Sequence, residues 1–114
     1  MTIFREDLMT GSHALITGGG TGIGYGCAEE LGRLGAKVTL AARRPDVLEA
    51  AARRLRDQGI DAAWYELNIR DEEAVSAIFR LIIEERGLPD HLVNNAGGQF
   101  AAKADEISAN GFRA

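Results

Sequence analysis

Six glycines occupy nine consecutive positions, residues 18–26, between a short apolar run and a helix-like pattern. The run, His13–Ile16, is typical of a buried strand. After the cluster, apolar residues recur at spacings of four, four and three, as on one face of a helix: Ile23, Cys27, Leu31 and Leu34. Glycine accepts positive φ and lets other groups approach the backbone closely. The succession of strand, glycine cluster and helix predicts a loop that holds a phosphate at a helix N-terminus. A flexible turn without a ligand is the alternative.

The alternation of strand-like and helix-like segments continues along the chain. Three further apolar runs predict strands, at residues 37–42, 63–67 and 91–94. Between them, Pro45 opens a helix that Gly59 ends, and Asp71 caps a helix that Gly87 ends. Residues 101–114 predict the beginning of a fourth helix.

The order β-α-β-α-β-α-β predicts an α/β fold of the doubly wound, Rossmann type, with a parallel sheet between two helix layers. The second helix should bury Val47, Leu48, Ala51, Ala52 and Leu55. The third should bury Ala74, Val75, Ile78, Phe79, Ile82 and Ile83. We expect residues 1–114 to be the N-terminal, dinucleotide-binding part of a single domain in a longer chain, because a fourth strand without a further neighbour leaves an open sheet edge.

Composition narrows the functional classes. The formal net charge of -4 gives nucleic acid no general attraction. No run approaches the roughly 18 apolar residues of a membrane span, and the charged residues Arg5, Glu6 and Asp7 argue against a signal peptide. The single cysteine, Cys27, is typical of a reducing compartment. We therefore expect a cytoplasmic protein without a membrane or nucleic-acid partner, and we predict no metal site.

The spacing of the glycine loop distinguishes between families of phosphate-binding loops. It contains no G-x-G-x-x-G, and no Gly-Lys-Ser/Thr follows it. It does match Thr-Gly-x-x-x-Gly-x-Gly through Thr17, Gly18, Gly22 and Gly24. A second motif, Asn94-Asn95-Ala96-Gly97, follows the fourth predicted strand. With both motifs on these elements, the chain resembles the main branch of the short-chain dehydrogenase/reductase family from about Ser12 onward.

The resemblance implies roles for particular residues. Those that would wrap the cofactor's phosphates are Gly18, Thr21, Gly22, Ile23 and Gly24. The turn Asn95-Ala96-Gly97 would flank the adenosine, support the central sheet, or do both. Asn68 and Ile69 stand where the family commonly has Asp-Val close to the adenine, and the Asn68 carbonyl can accept a hydrogen bond from the adenine amino group.

The end of the second strand bears on the choice between NAD and NADP. An acidic residue there binds the free ribose hydroxyls of NAD, but this chain has Ala42 at that position. Arg43 follows, and its planar guanidinium can hold the 2′-phosphate of NADP with two hydrogen bonds. Arg44 would add longer-range attraction. We predict NADP(H) as the cofactor; the alternative is that both arginines are solvated charges beside Pro45.

The resemblance also indicates which catalytic residues are missing from residues 1–114. The family's chemistry uses a Ser and a Tyr-x-x-x-Lys pair, and the Tyr donates a proton to the substrate oxygen. Of the two tyrosines here, Tyr25 is followed four residues later by Glu29 and Tyr65 by Ile69. We predict no catalytic residue within residues 1–114. A non-catalytic NADP-binding module is therefore the alternative to an enzyme.

The predicted reaction is hydride transfer to or from a small carbonyl or enoyl substrate. Residues 94–100, which end in Gly97-Gly98-Gln99-Phe100, and residues 68–73 are similar to the enoyl-CoA and dienoyl-CoA reductase branch. A simple ketone or 3-oxoacyl reductase is the runner-up within the class. The resemblance implies a homo-oligomer, a tetramer, for the complete protein.

Overall fold

The computed structural model describes residues 3–97 and Asp105. Strands and helices alternate throughout this part of the chain: β1 His13–Thr17, α1 Gly22–Arg33, β2 Lys37–Ala42, α2 Pro45–Asp57, β3 Ala62–Glu66, α3 Glu72–Arg86 and β4 His91–Val93. The predicted order is confirmed. The predicted fourth helix and the Gly98-Gln99-Phe100 segment lie outside the described residues, apart from Asp105.

The four strands form one parallel sheet in the order β3-β2-β1-β4. All five residues of β1 are buried, as expected for a central strand covered on both faces. The chain moves outward from β1 to β3 on one side and then returns to place β4 on the other. This reversal opens a crevice at the carboxyl ends of β1 and β4, the position where such sheets bind ligands.

Helices cover both faces of the sheet, because alternate strand residues point in opposite directions. On one face, Ile16 and Leu40 pack in a core that includes Leu48 and Leu55 of α2 and Ala28 of α1. On the other face, Leu15, Ala41 and Leu67 pack with Ile82 of α3. The architecture is therefore the predicted doubly wound α/β fold. None of the described helices is long and apolar enough to cross a membrane.

The apolar stripe predicted for α1 is wrong at its first turn. Ile23 is 79% exposed, and the buried residues of the helix are Gly24, Ala28 and Gly32. A Cβ on Gly32 would lie 2.6 Å from Ile60 Cγ2, so a side chain there would require Ile60 to move. The helix packs through its smallest residues because the backbone lies so close to its neighbours.

Smaller differences concern element ends and the apolar face of α3, where Ala74, Val75, Ile78 and Phe79 are only half-buried. The third strand begins and ends one residue earlier than predicted, and the fourth ends at Val93 instead of Asn94. In α3, Ile82 is buried but Ile83 is 42% exposed, because a step of one residue turns the side chain well away from the helix face that packs on the sheet. The predicted cap is confirmed: Asp71 Oδ1 accepts a hydrogen bond from Ala74 N at 3.1 Å.

Candidate dinucleotide-binding site

A cleft of about 650 Å³ lies at the carboxyl edge of the sheet, and the loops after all four strands contribute to it. It is lined by every residue predicted for the site except Gly24, namely Gly18, Thr21, Gly22, Ile23, Arg43, Arg44, Asn68, Ile69, Asn95, Ala96 and Gly97. Residues far apart in the sequence thus meet in one place, because parallel strands deliver their following loops to the same edge.

Two glycines shape the loop between β1 and α1. Gly18 has φ +66° and Gly22 has φ +56°, both in the left-handed region that disfavours side chains. Gly18 N still donates to Ala41 O at 2.8 Å, so the loop leaves the sheet only after this residue. A Cβ on Gly22 would meet no atom within 4 Å. Because Gly22 lines the cleft, a side chain there would occupy the space open to a ligand.

The first turn of α1 is left open at its N-terminus. Thr21 occupies the N-cap position without a capping hydrogen bond from its side chain, and the first turn carries no acidic residue. Tyr25 N donates to Thr21 O at 3.2 Å, so the amides of Gly22, Ile23 and Gly24 precede the first hydrogen bond of the helix. These amides and the positive end of the helix dipole suit an anion. By contrast, α3 is capped by Asp71.

Gly24 has a different environment from the other glycine positions of the motif. It is buried, and a Cβ there would lie 2.5 Å from Asn95 Nδ2 and would overlap the Gly18 carbonyl. The structure therefore gives this residue a packing role, since it lets α1 approach the glycine loop and the turn after β4. Gly24 does not line the cleft, so its phosphate contact stays a prediction, which its backbone amide at the start of α1 would make.

The end of β4 and the turn after it are tied to Thr17 and the glycine loop by four hydrogen bonds. Thr17 Oγ1 accepts from Asn95 N and Ala96 N, each at 3.1 Å, and donates to Val93 O at 3.3 Å. Asn95 Nδ2 donates to Gly18 O at 3.1 Å. Thr17 was not among the predicted site residues, although it is the first residue of the glycine motif. Its hydroxyl joins two motifs that are remote in sequence.

The charged side chains that line the cleft are all arginines: Arg43, Arg44 and Arg70. Arg44 Nη2 lies 3.4 Å from Asp46 Oδ2, and both side chains are largely exposed. Within the described part of the chain, Arg43 forms no ion pair. The cleft therefore carries positive charge at the end of β2, and Arg43 is placed to receive an anionic group.

Asn68 already uses the atom that was expected to face the adenine. Its Oδ1 accepts a hydrogen bond from Arg70 N at 3.0 Å, which closes a turn before α3. A carbonyl oxygen has two lone pairs, so one further hydrogen bond can form there. The apolar wall of the cleft is formed by residues that were predicted to lie in strand and helix cores: Val47, Leu48 and Leu67.

Neither tyrosine belongs to the cleft. The Tyr25 hydroxyl donates to Glu29 Oε2 at 3.2 Å, and the Tyr65 hydroxyl donates to Glu85 Oε1 at 3.0 Å. Burial raises the pKa of each phenol above its ordinary value of 10.0. A phenol that exchanges a proton with substrate at neutral pH needs a lower pKa. These two residues are therefore structural.

The fold and the cleft define a Rossmann-type α/β domain with a glycine loop at its switch point. Sequence comparison then gives the family. The family model described as short chain dehydrogenase matches residues 12–114, and the chain belongs to that family.

Similar proteins include both reductases and dehydrogenases. The chain is 40% identical over 110 residues to the peroxisomal 2,4-dienoyl-CoA reductase [(3E)-enoyl-CoA-producing] of Arabidopsis thaliana. The match covers 96% of this chain and 37% of the relative. A citronellol catabolism dehydrogenase of Pseudomonas aeruginosa PAO1 superimposes with a TM-score of 0.85 at 42% identity, over 97% of this chain and 45% of that one.

A second solved structure, L-sorbose reductase of Gluconobacter frateurii complexed with NADPH and L-sorbose, gives a TM-score of 0.83 at 31% identity. It matches over 96% of this chain and 42% of that one. The chain thus spans less than half the length of these relatives.

Proposed function

We propose that residues 1–114 are the N-terminal, cofactor-binding part of a single Rossmann domain in an NADP(H)-dependent oxidoreductase. The proposal depends mainly on the position of Arg43, which lines the cleft directly after β2. NAD-binding chains have an acidic residue at the end of this strand, and Ala42 stands there instead. Membership of the short chain dehydrogenase family supports the oxidoreductase class.

The residues of the cleft fit a dinucleotide. Amides of Gly22 and Ile23 at the open end of α1 would hold the pyrophosphate, with Gly18 and Thr21 beside it. The turn Asn95–Gly97 and the residues Asn68 and Ile69 would flank the adenosine. When bound, the nicotinamide supplies or accepts the hydride. The solved L-sorbose reductase and the actinorhodin polyketide ketoreductase, both described with NADPH, support this choice of cofactor.

Arg43 would distinguish the two nicotinamide cofactors. A hydrogen bond to a charged group is worth about 1.5–3 kcal/mol, which corresponds to tenfold or more in affinity. NADH has no phosphate at this position and gains nothing from the guanidinium. Arg44 would contribute less, because Asp46 lies beside it.

For the substrate we propose an enoyl thioester of the 2,4-dienoyl-CoA class. Three of the curated relatives that share 37–40% identity with this chain are named as 2,4-dienoyl-CoA reductases, known or probable. A ketone or 3-oxoacyl substrate is the second candidate, supported by the sorbose reductase and the polyketide ketoreductase among the solved structures. The cytoplasmic location stays a prediction, since two relatives are named peroxisomal, and so does the homotetramer.

An assay of the complete protein tests this function. NADPH and NADH oxidation would be followed in parallel with a 2,4-dienoyl-CoA, a 3-oxoacyl-CoA and a simple ketone. We expect the highest kcat/KM for NADPH with the dienoyl-CoA. A preference for NADH would contradict the cofactor assignment. Tight NADPH binding without turnover of any substrate would favour the non-catalytic module.

A further inference from the structure

His13 is the first residue of β1 and lies at the amino edge of the sheet, opposite the cleft. It is 4% exposed and is the one buried titratable side chain among the described residues. The proposed function makes no direct use of it.

The two ring nitrogens of His13 have defined hydrogen-bonding roles. Nδ1 lies 3.0 Å from Gly87 O, which can only accept, so Nδ1 carries the proton. Nε2 lies 2.7 Å from Thr39 Oγ1, which also accepts from Arg86 Nε at 2.9 Å. The Thr39 hydroxyl can donate its own proton to Nε2, and this arrangement satisfies both groups. The partners thus assign a neutral ring with the proton on Nδ1.

The backbone of His13 holds the beginning of β4. His13 N donates to Asp90 Oδ2 at 2.8 Å, and Asp90 N donates to His13 O at 2.8 Å. These two bonds precede the first pair of the β1–β4 register, Ala14 with His91. Because β4 has only three residues, its start lies close in sequence to the turn at Asn95, which Thr17 and Gly18 hold against the glycine loop.

The charges around the ring come from each element packed against it. Arg86 at the end of α3 is paired with Asp61, before β3, at 3.0 Å. The Lys37 ammonium of β2 donates to Arg86 O at 2.9 Å. Burial lowers the pKa of His13 below 6.5, and Arg86 and Lys37 lower it further; the hydrogen bond to the Gly87 carbonyl and the Asp90 carboxylate oppose this. A protonated ring would also leave the Thr39 hydroxyl proton without its acceptor.

We propose that neutral His13 is a positioning residue for the cofactor cleft, because its ring joins the end of α3 to β2 while its backbone holds the start of β4, and that protonation of its ring loosens β4 and weakens cofactor binding. This inference rests on the proposed function. The sign follows from linkage: a lowered pKa in the folded state means that the unfolded chain binds the proton more readily. The contribution to stability is complete above pH 6.5 and is lost as the pH falls from there through the lowered pKa.

Two variants of the complete protein test the inference. His13→Gln keeps one donor and one acceptor but does not titrate in this range. His91→Gln is the matched control, because His91 is the other histidine of this chain and is exposed on the neighbouring strand. Urea unfolding and NADPH affinity would be measured at about pH 8 and about pH 5.

We expect the unfolding equilibrium constant to rise with acid more in wild type and His91→Gln than in His13→Gln, by roughly tenfold for each unit by which the pKa is lowered. The Kd for NADPH should also rise more with acid in the same two proteins than in His13→Gln. NADPH carries a phosphate monoester that itself titrates near pH 6. The effect of His13 is therefore the difference between the variants and not the acid response of any one protein.

Equal acid responses of wild type and His13→Gln would overturn the inference, and so would a response in unfolding without one in NADPH affinity. NADPH binding at about pH 8 in all three proteins would leave the proposed function standing in either case. If no protein binds NADPH at that pH, the proposed function fails, and with it the positioning role. Should His13→Gln fail to fold, an NMR titration of the wild-type ring decides instead: titration at or above pH 6.5 overturns the inference.

Discussion

Gly22 and Gly24 stand two residues apart in the same motif and meet different surroundings. Gly22 has φ +56° and faces open space at the cleft. Gly24 is buried against Gly18 and Asn95. At Gly22 a side chain would occupy the space open to a ligand, and at Gly24 a side chain would prevent the close packing of α1. Substitutions at the two positions therefore fail for different reasons.

Gly22→Val should abolish NADPH binding while the complete protein still folds. The side chain would project into the pyrophosphate space, and the left-handed φ would cost about 1–2 kcal/mol, against a typical stability of about 5–15 kcal/mol. Fluorescence titration and a thermal melt measure the two effects. Gly26→Val is the matched control, since Gly26 lies on α1 with nothing near its Cβ position. A Gly22→Val protein that binds like wild type would mean that the loop is only a turn.

At the scale of elements, the alternation of strands and helices could be predicted because hydrophobic periodicity and glycine stops are local signals. The buried face of α1 could not. Its contact residues Gly24, Ala28 and Gly32 carry little hydrophobic signal, and their burial depends on how closely Gly18 and Ile60 approach. Conversely, Ile23 looks like a core residue and is exposed at the cleft.

The candidate site divides in the same way. The position of the glycine loop and Arg43 at the cleft could be predicted because it depends on residue type at fixed spacing from the predicted strands. The hydroxyl of Thr17 as a bridge to Ala96 and the turn closed by Asn68 could not, because both depend on atoms that only the folded chain brings together. The contribution of Val47 to the apolar wall of the cleft could not be predicted either, since a helix residue can face both core and cleft.

Gly26 offers a test of α1 as an element. It lies in the helix interior, is exposed, and has nothing within 4 Å of an added Cβ. Gly26→Ala should raise the free energy of unfolding by about 0.5–1 kcal/mol, because alanine loses less backbone entropy in a helix. Urea denaturation of the complete protein measures this. A decrease in stability would show that another part of the complete protein packs against Gly26.

At the scale of the whole molecule, the described residues leave β4 paired with β1 alone. Leu88 is 72% exposed and Leu92 49% exposed near this strand. We expect residues 1–114, expressed alone, to unfold over a broader urea range than the complete protein and to show no NADPH oxidation with carbonyl or enoyl-CoA substrates. A sharp transition from a monodisperse monomer would contradict the first expectation, and turnover above buffer the second.

Titration of the complete protein with NADPH and NADH tests whether the cleft binds NADP(H) through Arg43. Wild type should bind NADPH at least about tenfold more tightly than NADH. Arg43→Ala should lose that preference while its affinity for NADH stays unchanged. Arg53→Ala serves as the matched control, because Arg53 is an exposed arginine paired with Glu49 on α2 and does not line the cleft. Equal wild-type affinities for the two cofactors, or a preference that survives in Arg43→Ala, would contradict the account.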